Sequence, residues 1–371
     1  MDHSLYSHSL LISLPLMLFF GFHLILAPVP DKKLFGSYKL SSRLMGTALL
    51  VLSANYLVHY FLNVRSKDVE ATIMMNLSTY FLCYWLFSSA MMTLLDKNYI
   101  TRRRFTFHMS LWLTFTALTC CVQLFLSESP AQNWCLAALA AFVVSYGMFL
   151  AIRLLRTYYR AIKMFDNTHS DDIGSYIRWL SIFTYWAIGF GVSCGLLTFL
   201  PDRYIFLWIL SSIPFYIYLY CCYQNYILFY EKVESALMEE ADMPPIETEK
   251  AEQESPNDAS PAYFADIEIR INAWVASEGY IKPGISLNDL SAQLCTNRTY
   301  LSEYINHIFG VTFREWISDL RIEYAKRLMK QQPQMKMQEI SEASGFLSLS
   351  HFTRTFSAKE RCSPAKWRHE A

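Results

Sequence analysis

Seven long apolar runs occupy the first 230 residues: Leu10 to Ala27, Leu44 to Leu62, Ala71 to Leu95, Phe105 to Leu126, Trp134 to Leu155, Ile177 to Leu200 and Tyr204 to Tyr230. At 1.5 Å per residue each is long enough to cross a hydrocarbon layer about 30 Å thick. Short polar or charged gaps separate them, so the pattern predicts seven helices, an odd number that puts the two ends of this portion on opposite sides of a membrane. From Tyr263 the pattern becomes that of a soluble helical protein. Phe264, Ile267, Ile271, Trp274 and Val275 share one helical face, and Gly279 is expected to stop that helix. Ser286-Leu287-Asn288-Asp289 matches a capping box that opens a short helix with Leu287, Leu290 and Leu294 inward. After Cys295-Thr296-Asn297 a second helix runs through Tyr300, Leu301, Tyr304, Ile305 and Ile308. Two short helices about a tight turn predict a helix-turn-helix. The unit recurs: a long helix with Phe313, Trp316, Ile317, Leu320, Ala325 and Leu328 inward ends before Pro333. Met337 to Ser344 form another short helix, Gly345-Phe346 the turn, and Ser348 caps a helix carrying Phe352 and Phe356.

The expected fold is therefore all-α, with a seven-transmembrane-helix domain over 1–230, a linker over 231–262 and a soluble double helix-turn-helix domain over 263–371. Composition agrees. Of 371 residues only 17% are charged and 53% are hydrophobic, against about 25% charged in ordinary soluble domains. The net charge of zero conceals three materials: 16 basic against 10 acidic residues over 1–230, 2 against 10 over 231–262, and 14 against 12 over 263–371. The middle stretch, with Pro244, Pro245, Pro256 and Pro261 among its acids, cannot bury a core. It is expected to be largely disordered beyond a short helical continuation of the last span.

Positive residues near spans stay on the cytoplasmic side. One set of alternate gaps holds 13 Lys and Arg, from Lys32 to Arg178, and the other holds 3, Arg65, Lys67 and Arg203. The amino terminus is thus expected outside and residue 231 onward in the cytoplasm. Without a basic stretch before Leu10, the first span reads as a retained helix and not a cleaved leader.

Few groups in the spans suit chemistry. His23, His59, Asn55, Asn76, Gln123, Gln224 and Asn225 are the polar candidates, and interhelical hydrogen bonding is the expected role of each lone histidine. Gly191-Val192-Ser193-Cys194-Gly195 reads both as G-x-S-x-G, a hydrolase nucleophile elbow, and as G-x-x-x-G, a close-packing motif. An elbow needs a strand before it and a helix after it, so packing is favoured. The nine cysteines show no CxxC or Cys/His ligand spacing. No metal, cofactor or catalytic residue is expected.

The C-terminal residues resemble the DNA-binding domain of the AraC-type transcriptional regulators, over about 105 residues. The resemblance is carried by Leu290-Ser291-Ala292-Gln293-Leu294 with Tyr300-Leu301-Ser302, by Leu320-Arg321-Ile322 with Ala325, by Ile340 to Phe346, and by Phe352-Thr353-Arg354-Thr355-Phe356 followed by Ser363-Pro364-Ala365-Lys366-Trp367-Arg368. Ser291 and Ser341 stand where the family usually has Ala, and Cys362 where Gly is common. The resemblance implies that two recognition helices, held by the long connecting helix, enter successive major grooves. Position by position it makes Arg298, Thr299, Ser302, Glu303 and Asn306 groove-facing on the first, and Leu349, Ser350, Thr353, Arg354 and Ser357 on the second. These residue types suit base edges: Arg for guanine, Asn for adenine, Glu for a cytosine amine, Leu for a thymine methyl. Arg298, Arg314, Arg354, Lys359, Arg361 and Lys366 are available for phosphates.

The expected protein is a bacterial inner-membrane transcription regulator whose partners are the lipid bilayer, promoter DNA and an unidentified small-molecule or membrane signal. A homodimer is a further expectation, because such regulators commonly read paired half-sites, although no heptad seam provides it. Two alternatives stay open at this level: a transporter or enzyme module with an attached regulatory DNA-binding domain, and a passive anchor from which proteolysis frees that domain.

Overall fold

A computed structural model of the chain describes residues 2–126, 129–197, 202–241 and 263–370, and every regular element among them is helical. The residues fall into two units, 1–159 with 177–237, and 160–176 with 238–371.

The first unit is built from α1 (Asp2–Leu26), α2 (Gly36–Leu62), the single turn α3 (Val64–Lys67), α4 (Val69–Thr93), α5 (Arg102–Leu126), most of α6 (Pro130–Thr168), α7 (Gly174–Leu197), α8 (Asp202–Ser211), α9 (Ile213–Tyr226) and the start of α10 (Tyr230–Ala241). Helices α1 and α2 approach closely because two glycines face each other: a Cβ on Gly46 would stand 2.7 Å from the Gly21 carbonyl oxygen. Polar side chains point inward and bond between helices. The amide of Asn55 donates to Thr79 at 3.0 Å, His59 Nε2 meets Asn76 Oδ1 at 2.9 Å, and Tyr146 meets His108 Nδ1 at 2.9 Å. Gln123 donates to Asp68 at 2.9 Å, and Gln224 meets His23 Nε2 at 2.8 Å. The outward faces carry large apolar side chains instead, among them Phe107, Leu124, Phe125 and Phe149. This is the reverse of a water-soluble surface. An apolar cavity of about 140 Å³ opens within the unit, lined by residues that include Tyr56, Tyr80, Met91, Phe183 and Phe215.

Five helical segments among the described residues are long and apolar enough to cross a membrane: Leu5–Leu26, Lys33–Leu62, Arg102–Leu126, Pro130–Thr168 and Tyr204–Tyr226. The other two expected spans fall on α4 and α7. The last expected span is two helices, α8 and α9, with Pro214 in the first turn of α9, where a missing N–H is tolerated. The fifth does not end near Leu155. Its helix continues to Thr168, 39 residues or about 58 Å at the helical rise, because Arg153, Arg156, Arg160 and Lys163 are as compatible with a helix in water as with a loop. The backbone at Ser193 belongs to α7, so the strand and turn of a nucleophile elbow are not there. The side chains of 191–197, and residues 242–262 of the acidic linker, lie outside the described residues. The helical continuation expected after the last span is α10.

The C-terminal residues of the second unit form α11 (Tyr263–Ala276), α12 (Leu287–Gln293), α13 (Arg298–Phe309), α14 (Phe313–Gln331), α15 (Met337–Ala343), α16 (Leu349–Glu360) and α17 (Pro364–Glu370). Two apolar cores flank α14, which feeds both. Phe313, Trp316 and Ile317 join Phe264, Ile271, Leu287, Leu290, Leu301 and Ile305 in the first. Ile322, Ala325 and Met329 join Ile340, Phe346, Phe352 and Phe356 in the second. Local chemistry sets the ends. Ser286 with Asp289, and Thr312 with Glu315, form the capping boxes of α12 and α14. Asn297 caps α13 and Ser348 caps α16. After α11 the left-handed residue is Glu278, not Gly279. Gly279 is required instead by close approach, since a Cβ there would lie 2.2 Å from the Trp274 indole nitrogen.

Candidate nucleic-acid interface

Each helix-turn-helix places its second helix, α13 or α16, behind a turn with a left-handed residue: Cys295 in the first (φ 49°) and Gly345 in the second (φ 83°). Cys295 pays the strain of a side chain in that region, and Arg270 secures the turn by donating from Nη1 to the carbonyls of Leu294 and Cys295 at 2.7 and 3.0 Å.

The candidates on α13 are largely engaged within the domain. Arg298 and Ser302 are buried. The Asn306 amide donates to the Ser302 carbonyl at 2.9 Å and to its hydroxyl at 3.4 Å. Glu303 accepts a 2.6 Å hydrogen bond from Tyr263, whose phenol burial and the Glu303 charge hold protonated above its ordinary range. The Thr299 N–H is spent on the Asn297 cap at 2.7 Å. Tyr300 and Ile308 of this helix are exposed, and Tyr300 stacks on Tyr263 with ring centroids 4.3 Å apart.

On α16, Ser350 and Arg354 are exposed, Thr353 and Ser357 half-buried, and Leu349 packs against the second core. Among the phosphate candidates, Lys359 pairs with Asp319 at 2.7 Å and Lys366 with Glu370 at 3.6 Å.

Sequence reasoning missed the partners of the arginines. Arg321 is fully buried, donates from Nε to the Tyr280 carbonyl and from Nη2 to the Lys282 carbonyl, each at 2.8 Å, and lies 5.8 Å from the Phe346 ring centroid. It therefore ties the segment before the first helix-turn-helix to the turn of the second. Burial pulls it down to about 10, with Asp171, 3.7 Å away, pushing back up, so it stays charged at neutral pH. Arg314 pairs with Asp166 at 3.1 Å and with Asp172 at 2.8 Å, and Arg354 pairs with Asp172. Asp166 lies in the last turn of α6 and Asp172 in the stretch that joins α6 to α7. Nothing in their local sequence marks them, because the partners lie more than 140 residues away along the chain.

His351, in the first turn of α16, is pushed down to about 4 from an ordinary 6.5; burial leads, Asp172 opposes it, and Arg354, Arg314 and Arg321 add to it. The unfolded chain takes up this proton near pH 6.5 and the folded one only near 4. The stabilisation from a neutral His351 is thus complete above 6.5 and falls as the pH drops towards 4. Hydrogen exchange of α15 and α16 should show weaker protection at pH 5 than at pH 7, and His351→Gln should flatten that dependence.

Comparison with known proteins identifies residues 290–370 as a Helix-turn-helix domain. The chain is similar to the HTH-type transcriptional regulator ExsA of Pseudomonas aeruginosa, 33% identical over 82 residues, which are 22% of this chain and 29% of that protein. It is 35% identical over 79 residues to the TCP pilus virulence regulatory protein of Vibrio cholerae, covering 21% and 28% of the two chains. With the virulence regulon transcriptional activator VirF of Yersinia enterocolitica it shares 30% over 91 residues, covering 24% and 33%. The chain thus spans about a third or less of the length of these relatives. No solved structure matches it. Residues 290–370 are a helix-turn-helix domain of the AraC type.

Proposed function

We propose that this chain is a membrane-bound, sequence-specific DNA-binding transcriptional regulator, with seven helices as sensor or anchor and the AraC-type domain in the cytoplasm. The observation that carries the reading is the single helix α14 feeding two apolar cores, each closed by a helix-turn-helix. Such an arrangement fixes the spacing of two recognition helices, the requirement for reading successive grooves of one duplex face. The membrane assignment rests on the outward apolar and inward polar side chains of the first unit and on the 13 to 3 imbalance of basic residues between alternate gaps. The apolar cavity among the helices suits a small apolar signal. Of the named residues, the exposed Ser350 and Arg354 of α16 are the first candidates for base contact, Arg354 by forking onto a guanine.

Genome-wide occupancy of the full-length protein, with its membrane attachment intact, tests this reading. Occupancy is expected to concentrate at discrete promoters, and Arg354→Ala is expected to weaken binding at those sites by roughly five- to 150-fold, the effect of losing about 1–3 kcal/mol of base discrimination. Occupancy spread evenly over the genome, or absent for both forms, would overturn it.

A further inference from the structure

We propose that residues 166–172, the end of α6 and the stretch that follows it, are an acidic clasp that holds the AraC-type domain in a form unable to engage DNA. The inference rests on the DNA-binding reading above and concerns how that same surface is controlled.

Three carboxylates of this stretch lie against three arginines of the C-terminal domain. Asp166 and Asp172 both face Arg314, Asp171 faces Arg321, and Asp172 also holds Arg354. Arg354 is an exposed basic side chain of α16, with 57% of its side-chain surface accessible, whereas Asp172 is 16% accessible. A guanidinium donor engaged by a carboxylate is not available to a guanine edge or a phosphate oxygen, since both ligands need the same N–H fork. The clasp therefore imitates in charge and geometry what the duplex would present. His351, in the first turn of α16, is kept neutral chiefly by burial and offers the duplex no compensating charge.

The clasp is a built contact and not one flexible pair. The Ser170 N–H donates to the Ile285 carbonyl at 3.0 Å, and His169 and Ser286 form an antiparallel bridge. Arg321 Nη2 reaches the Ser170 hydroxyl at 3.4 Å. A second tie comes from α10: Glu239 accepts from the Asn288 amide at 2.8 Å and from the Ser286 hydroxyl at 3.3 Å, at the capped start of α12. Exposed ion pairs contribute little individually. A network anchored by backbone bonds inside one chain competes with a duplex at high effective concentration. The clasp is also the direct connection between α6 and α7, and α10 follows α9. A ligand that changes how those helices pack by favouring one arrangement shifts the clasp with it.

The test uses the full-length protein in lipid nanodiscs with promoter duplexes recovered by its own occupancy, or a pooled promoter library, at fixed salt. Asp172→Asn is expected to raise duplex affinity about tenfold or more, while Glu268→Gln, the same charge change on an exposed face of α11, raises it less than twofold. Amides of 169–173 are expected to be protected from hydrogen exchange without DNA and to lose that protection when duplex is added. Equal affinities for wild type and Asp172→Asn, or free exchange of 169–173 before DNA is added, overturn the clasp and leave the DNA-binding reading standing. No duplex binding by any form, Asp172→Asn included, overturns the DNA-binding reading and the clasp with it.

Discussion

Arg321→Met is expected to cost the second unit about 3–5 kcal/mol, the scale for breaking a buried charge network by removing one partner. The side chain is fully buried, and its Nε and Nη2 satisfy the carbonyls of Tyr280 and Lys282. Methionine fills much of the volume but leaves two backbone acceptors and the Asp171 carboxylate with less compensation, and each buried polar group left unmade costs about 1–3 kcal/mol. Lysine is not a substitute, because one ammonium cannot place donors along the two directions that the planar fork serves. Native-state hydrogen exchange on the full chain checks this. Amides of α14 to α16 should lose protection in both the Met and the Lys variants, while α2 and α4 of the first unit keep theirs. Unchanged protection in α14 to α16 would show that the fork does not hold the two helix-turn-helix cores together.

Gly345→Ala is expected to destabilise the second helix-turn-helix by about 2–5 kcal/mol, for two additive reasons. The residue sits at φ 83°, a conformation that costs an L-residue with a Cβ about 1–2 kcal/mol. A Cβ there would lie 2.3 Å from the Ile281 carbonyl oxygen, a backbone atom that cannot swing away, and such overpacking costs roughly 1–3 kcal/mol. Limited proteolysis should cut the variant within α15 and α16 under conditions where the native chain resists. The contrast with Cys295 is informative. That residue takes the same backbone conformation in the first turn with a side chain in place, so the glycine at 345 answers mainly to the close approach of Ile281.

The clasp and these two substitutions are linked. Arg321 bonds the Ser170 hydroxyl and faces Asp171, so its loss should loosen residues 169–173 as well as the cores. The atoms nearest a Cβ at Gly345 are those of the Ile281 backbone, so its substitution should disturb the domain through that contact. Comparing exchange at 169–173 in the two variants separates domain stability from clasp closure.

What the sequence by itself determined is everything governed by local pattern. The capping box at Ser286, the cap at Ser348, and the inward faces of α11, α12 and α14 form where the spacing of apolar and capping residues puts them. A helix's buried face and its ends depend on neighbours within four residues. The AraC-type domain was legible for the same reason. Helix length was less so: α6 runs on to Thr168 because nothing between Leu155 and Thr168 breaks a helix, and polarity alone does not end one.

Only the tertiary structure decided which polar groups meet. His59 with Asn76, Gln224 with His23, and Asp172 with Arg314 and Arg354 are separated by 17, 201, 142 and 182 positions. A charge in sequence carries no record of its partner, because Coulomb attraction acts on separation in space and the chain's path sets that separation. The residues proposed for the groove illustrate the limit: that they lie on two helices was readable, whereas the burial of Arg298 and Ser302 and the engagement of Arg354 by Asp172 depend on packing between distant segments.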